Sequence, residues 1–85
     1  METRLLEYFV TVADERNVTA AAARLFAAQS TVSAGLASLV RDRGVRLFER
    51  STKFGRPTAA GDALLPLARV LLADLDALRG VASES

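Results

Sequence analysis

The stretch from Thr19 to Gly44, TAAAARLFAAQSTVSAGLASLVRDRG, allows few structures. It predicts two short helices joined by a tight turn. Thr19 is a suitable N-cap, because its hydroxyl can accept from an orphan amide of the first turn. Ala20 to Phe26 contains no breaker and begins with alanines, the best helix formers. Ala27, Ala28 and Gln29 make the connection. A second helix is expected from about Ser30 to Arg43. Its apolar stripe is Val32, Leu36, Leu39 and Val40, the spacing of one buried face. Gly44 ends it, since a glycine just past the last periodic residue can take the left-handed cap conformation. Two such helices with a turn of about three to four residues form a helix-turn-helix candidate.

The small residues suit a close crossing. Ala22 and Ala23 let the two backbones approach, while Leu25 and Phe26 are expected to supply the bulk beneath. The outer face of the second helix carries Ser30, Ser33, Ala34 and Ala37. A helix lying in a DNA major groove needs such a small, weakly polar face. An ordinary helical hairpin in a small all-α domain explains this stretch equally well.

A chain of 85 residues, 51% hydrophobic, holds one small domain with one core. Domains of this size bury apolar surface marginally, so an oligomer would help. Cysteine and histidine are both absent. Disulfides, thiolate metal sites, and the usual general base and pH switch are thereby excluded. Neither a nucleophile–base pair nor a metal-ligand cluster is visible. The expectation is therefore a non-enzyme without metal or cofactor. Charge interrupts every apolar stretch before it reaches membrane-spanning length, so a cytoplasmic protein without membrane contact is the default.

The formal net charge of +1 hides an uneven distribution. Residues 34–56 hold Arg41, Arg43, Arg46, Arg50, Lys53 and Arg56 against only Asp42 and Glu49. The flanking segments are each net acidic. A local basic patch, more than overall charge, marks a polyanion partner.

Thr3 to Glu15 is predicted as the first helix. Leu5, Leu6, Phe9, Val10, Val12 and Ala13 form its apolar face, with Arg4, Glu7, Thr11 and Asp14 elsewhere. Glu15, Arg16 and Asn17 make a turn, and Val18 is expected to tuck under the next helix as a hydrophobic staple. After Gly44 the period changes to an alternation through Val45, Arg46, Leu47 and Phe48. With the polar turn Ser51 to Gly55 and the extended Arg56, Pro57 and Thr58, this predicts a short β-hairpin tipped by Lys53. Pro57 belongs at an edge, because it cannot donate to a ladder. A basic hairpin after a helix-turn-helix suggests a wing; a solvated surface hairpin is the plainer alternative.

From about Thr58 the pattern is helical almost to the end. Leu64, Ala68, Leu71, Leu75, Leu78 and Ala82 step by four, three, four, three and four, a heptad seam. Leu65, Leu67, Leu72 and Val81 widen the stripe. So long an apolar rod is expected to pack against a second copy of the chain; the alternative is a helix folded back on its own core. Pro66 should kink it, because proline lacks an N–H and clashes with the carbonyl of Asp62. Fraying is expected from Gly80 onward.

The segments LLEYFVTVADERNVTAAAARL, AAQSTVS, GVRLFERS and RPTAAGDALLPLAR follow one another in an order that resembles the N-terminal DNA-binding domain of LysR-type transcriptional regulators. The resemblance implies a mainly α fold, a winged helix-turn-helix with a three-helix core and a short hairpin wing, followed by a long dimerisation or linker helix. It divides the chain into a DNA-binding unit, 1–58, and a linker/dimerisation helix, 59–85. It implies major-groove contacts from Gln29, Ser30, Thr31, Ser33 and Ala34, and wing or phosphate contacts from Arg50, Lys53 and Arg56. A homodimer through Leu64, Ala68, Leu71, Leu75 and Leu78 would bind double-stranded DNA at a pseudo-palindromic operator. Family members normally continue into an effector-binding domain, so a small-molecule effector would act through a domain outside this chain, which is expected to be an excised piece of a longer regulator or else a natural stand-alone domain.

Four positions depart from the family pattern, which commonly has Ser at Ala28, Pro at Ser30, Arg at Ala34 and Gln at Gly35. Ala28 removes a capping hydroxyl, typically worth ~1 kcal/mol. Gly35 costs about 1 kcal/mol relative to alanine inside a helix. Ala34 lacks the group suited to bidentate guanine reading. Gln29 can still pair with an adenine edge, and the hydroxyls can reach bases or phosphates. The competing possibility is a winged-helix dimerisation or protein-interaction module with weak or lost specific DNA binding. Ala34 and Gly35 favour it, and the basic wing opposes it.

Overall fold

Hydrophobic periodicity sets the four helices. The computed structural model describes residues 3–49 and 56–84, with the side chains of Arg43 and of 82–84 left aside. The helices are α1 (Thr3–Glu15), α2 (Val18–Arg24), α3 (Gln29–Arg43) and α4 (Ala59–Glu84). α1 packs against the other three. Phe9, Val12, Val32, Leu36 and Leu39 form the centre of the core, each 2% exposed or less. Phe48 closes it edge-on against Phe9, with ring centroids 5.5 Å apart.

α1 has the bounds expected from its sequence. Its buried arc is wider than its apolar stripe, because it touches three neighbours. Tyr8 and Thr11 are buried as well as Leu6, Phe9 and Val12.

α2 begins earlier than expected. Its N-cap is Asn17, whose side chain accepts from the Ala20 N–H at 2.9 Å; Thr19 is not the cap. Val18 is therefore the first helical residue and not a staple outside the helix. This phase turns Val18, Ala21 and Ala22 into the core, the spacing of one helical face.

α2 ends in a Schellman arrangement. The Ala27 N–H donates to the Ala22 carbonyl at 2.9 Å and the Phe26 N–H to the Ala23 carbonyl at 3.2 Å. Phe26 holds the left-handed position, φ 54°, where glycine is usual. The sequence places Phe26 beneath the helix pair, but the left-handed turn throws its ring outward, 97% exposed. Only Leu25 packs against the core.

α3 buries Val32, Leu36 and Leu39 as its stripe predicts. Gly44, φ 68°, caps it by donating to the Val40 carbonyl at 2.8 Å. Gly35 faces inward too. A Cβ there would lie 2.6 Å from Tyr8 Cδ2. The glycine thus belongs to the α1–α3 contact, not to the outer face.

The chain then runs antiparallel to itself at one bridge, Phe48 opposite Pro57. The Glu49 N–H donates to the Arg56 carbonyl at 2.7 Å, and the Thr58 N–H to the Leu47 carbonyl at 3.0 Å. Pro57 sits between these bonds in a non-hydrogen-bonded pair, where its missing N–H leaves nothing unmade. The hairpin tip expected at Ser51–Gly55 lies outside the described residues.

Thr58 joins this bridge to α4. Its hydroxyl accepts from the Gly61 N–H at 3.1 Å and donates to the Arg46 carbonyl at 2.6 Å. Gly61 permits the junction: a Cβ would stand 2.1 Å from the Leu47 carbonyl oxygen. α4 continues through Pro66 and past Gly80 to Glu84, beyond the point where fraying is expected. It lies along α1, with Ala68 buried and Leu64, Leu65 and Leu72 packed on the core.

Candidate nucleic-acid interface

The burial of Val32, Gly35, Leu36 and Leu39 decides what α3 shows outward. Gln29, Ser30, Thr31, Ala34 and Ala37 are exposed, and Ser33 is half-buried. The five residues expected at a major groove therefore share the accessible side and the first turns of one helix. Ala28 is the N-cap and makes no side-chain cap bond. Its carbonyl accepts from Thr31 and Val32 at 3.0 and 3.2 Å. The leading amides of α3 lie beside Gln29 and Ser30, so this helix start is open to an anion.

Gln29 is held. The Thr19 hydroxyl of α2 donates to its Oε1 at 3.0 Å. This contact joins the two helices of the motif across the turn, and the sequence carried no sign of it. Thr19 has the hydroxyl free for this because Asn17 supplies the cap.

Some cations pair with carboxylates of α1. Arg24 reaches Glu15 at 3.1 Å and Asp14 at 3.9 Å, and Arg69 also pairs with Asp14. These charges are paired with one another on the partly exposed surface where α1, α2 and α4 meet. Arg41, Arg46 and Arg56 are exposed, in the segment where the basic surplus lies. Of the three residues expected on the wing, only Arg56 is described; Arg50 and Lys53 lie outside the described residues. Arg56 is placed by its carbonyl bond from Glu49, beside the Phe48–Pro57 bridge.

Gly35 bears differently on function than its sequence position suggests. It is buried against Tyr8, so it subtracts nothing from the outer face. Ala34, by contrast, is exposed on the outer face.

The heptad residues are not equally exposed. Ala68 is 2% exposed within its own protomer and is removed from the expected dimer seam. Leu64 and Leu75 are half-buried, whereas Leu71 and Leu78 are 52% and 64% exposed. The apolar face left open is rotated, through Leu67, Val70, Leu71, Leu78 and Val81. The cause is α1, which already covers the side of α4 that carries Ala68 and Leu72.

A three-helix core, a motif helix with a small polar outer face and an antiparallel bridge between Phe48 and Pro57 match a winged helix-turn-helix. Residues 3–62 match the model of the bacterial regulatory helix-turn-helix proteins, lysR family. The chain belongs to that family. It is 46% identical over 72 residues to the HTH-type transcriptional regulator ClcR of Pseudomonas putida, which covers 85% of this chain and 24% of ClcR. It is 45% identical over 73 residues to ShiR of Corynebacterium glutamicum, covering 86% and 25%. The chain thus spans about a quarter of the length of the curated relatives it matches. Among solved structures, the BenM DBD in its benA site 1 DNA complex superposes with a TM-score of 0.91 at 32% identity, over 99% of this chain and 98% of that one. Full-length CbnR complexed with its target DNA gives 0.85 at 42% identity, over 99% and 29%. Among the described residues no helix is long and apolar enough to cross a membrane.

Proposed function

We propose that this chain binds double-stranded DNA sequence-specifically, as the DNA-binding module of a bacterial LysR-type transcription regulator rather than as a catalyst. It acts as a dimer on a pseudo-palindromic operator in the cytoplasm. Residues 1–58 form the reading unit and residues 59–85 the linker and dimerisation helix. Any small-molecule effector acts through a further domain of the whole regulator. The observation that carries this is the outer face of α3: Gln29, Ser30, Thr31 and Ser33 stand together on a helix whose opposite side is core. The likeness to domains solved on DNA supports the same reading.

Each group has a distinct part. Gln29 and the hydroxyls of Ser30, Thr31 and Ser33 meet base edges, beside the small Ala34. Arg50, Lys53 and Arg56 meet phosphates or the minor groove, and supply affinity without sequence preference. The open face of α4 around Leu71 and Leu78 meets a second copy. Selection of bound duplexes from random DNA tests the function. The expected product is a motif with two related half-sites; enrichment of no motif overturns it.

A further inference from the structure

The contact between Thr19 and Gln29 deepens this reading, on which it rests. We infer that Thr19 is a positioning residue for base recognition. It sets how Gln29 presents its amide to one base pair in each half-site.

Three observations carry it. Thr19 is the second residue of α2, and Asn17 already satisfies the Ala20 N–H, so capping does not require the Thr19 hydroxyl. That hydroxyl instead crosses to the first residue of α3 and donates to Gln29 Oε1 at 3.0 Å. Both side chains are exposed, so the bond is not made to satisfy a buried group.

The chemistry of the amide gives the bond its effect. A glutamine carbonyl oxygen has two acceptor sites and the amide nitrogen two hydrogens. Thr19 takes one acceptor site on Oε1. One acceptor and both donors remain, enough for the paired contact to adenine N6 and N7. A free glutamine on a helix surface samples many rotamers and both amide faces, and must be ordered on binding. With Oε1 anchored, the amide meets the groove in one orientation. The donated proton also polarises the amide and strengthens its N–H groups as donors. Thr19 needs no contact with DNA for this.

The test compares wild type, Thr19→Val, Thr19→Ser, Gln29→Ala and the Thr19→Val/Gln29→Ala double variant. Each is put through selection from a random duplex library, then titrated with the selected duplex and a scrambled one. Thr19→Val keeps the shape and removes the hydroxyl. It should lower preference by about 2- to 10-fold, the range of one net hydrogen bond, at the single position that Gln29→Ala relaxes. Preference elsewhere and affinity for scrambled duplex should stay as in wild type. Thr19→Ser should behave as wild type. In the Gln29→Ala background, Thr19→Val should change nothing further. The Gln29 side-chain amide resonances should move in Thr19→Val but not in Thr19→Ser. Unchanged preference in Thr19→Val, an equal loss on both duplexes, or a full effect in the Gln29→Ala background overturns the inference and leaves DNA binding standing. A wild-type chain that enriches no motif overturns DNA reading, and the inference with it.

Discussion

The Asp14 carboxylate of α1 accepts from both terminal nitrogens of Arg69 on α4, at 3.2 and 2.5 Å, across 55 positions of sequence. The fork-to-fork geometry is the strongest arrangement for such a pair. Arg24 of α2 approaches the same carboxylate at 3.9 Å, so one acidic group ties three helices.

The pair has a pH signature. The Arg69 hydrogen bonds hold the Asp14 carboxyl below its ordinary value; partial burial works against this, and the charges of Arg69 and Arg24 add to it. A depressed folded-state pKa contributes stability that is full above the unfolded value. It is lost as pH falls through the lower, folded one. Asp14→Asn should therefore unfold more easily than wild type at neutral pH, by about 0.2–1 kcal/mol, since both groups are partly exposed. The difference should begin to narrow near about pH 4 and close only as pH falls through the lower, folded value. Thermal unfolding of both proteins from pH 7 to pH 2 checks this; a constant gap contradicts it.

Phe26 is strained. A bulky residue in the left-handed region costs roughly 1–2 kcal/mol. Its ring, 97% exposed, recovers nothing from the core. Phe26→Gly should stabilise the fold by about 0.5–1 kcal/mol, after allowing for the extra freedom of glycine in the unfolded chain. Urea unfolding should show a higher midpoint with an unchanged slope. A lower midpoint would mean that the ring is held by contacts within the protomer.

Two glycines of α4 should respond in opposite directions to alanine. At Gly61 the new Cβ would meet the Leu47 carbonyl at 2.1 Å, and backbone must move. A cost of about 1–3 kcal/mol or more is expected. At Gly80 nothing lies within 4 Å of the new Cβ. Gly80→Ala should stabilise, by up to ~1 kcal/mol of helix propensity. Circular dichroism melts of the two variants provide the comparison.

On α4, Leu71→Asp and Leu78→Asp should yield folded monomers, because both side chains stand on the open face. Ala68→Asp should instead prevent folding, since it places a charge in the protomer core. Sedimentation combined with circular dichroism separates the outcomes. A wild-type chain that stays monomeric at high micromolar concentration counts against dimerisation through α4.

The salt dependence of DNA binding should separate the wing from α3. Arg56→Ala should weaken binding to all duplexes and flatten the log–log salt slope by roughly one unit. Gln29→Ala should leave the slope and relax one base position, at about 1–3 kcal/mol. Anisotropy titrations across a salt series measure both. Equal loss on selected and scrambled duplexes for Gln29→Ala would contradict the assignment.

Local periodicity alone determined α1, the buried stripe of α3 and its stop at Gly44. Each depends on a helix repeat and one cap, and both are written in adjacent residues. The edge position of Pro57 follows from its missing donor, and the grouping of Gln29, Ser30, Thr31 and Ser33 follows from the stripe behind them. Tertiary structure decided the rest. Asn17 and Thr19 are both competent caps, and the phase that buries Val18, Ala21 and Ala22 together chose Asn17. α4 is apolar on more than one side, so its periodicity could not say which side meets α1 and which stays open; packing Ala68 inward rotated the exposed face toward Leu67 and Val70. Gly35 and Gly61 look like isolated breakers in the sequence, yet each marks an approach to a residue far along the chain. Thr19 reaches Gln29 only because the α2–α3 turn brings their side chains to one elbow. A sequence pattern specifies which faces are apolar and which residues can cap or turn, but the partner of each face is a property of the packed molecule.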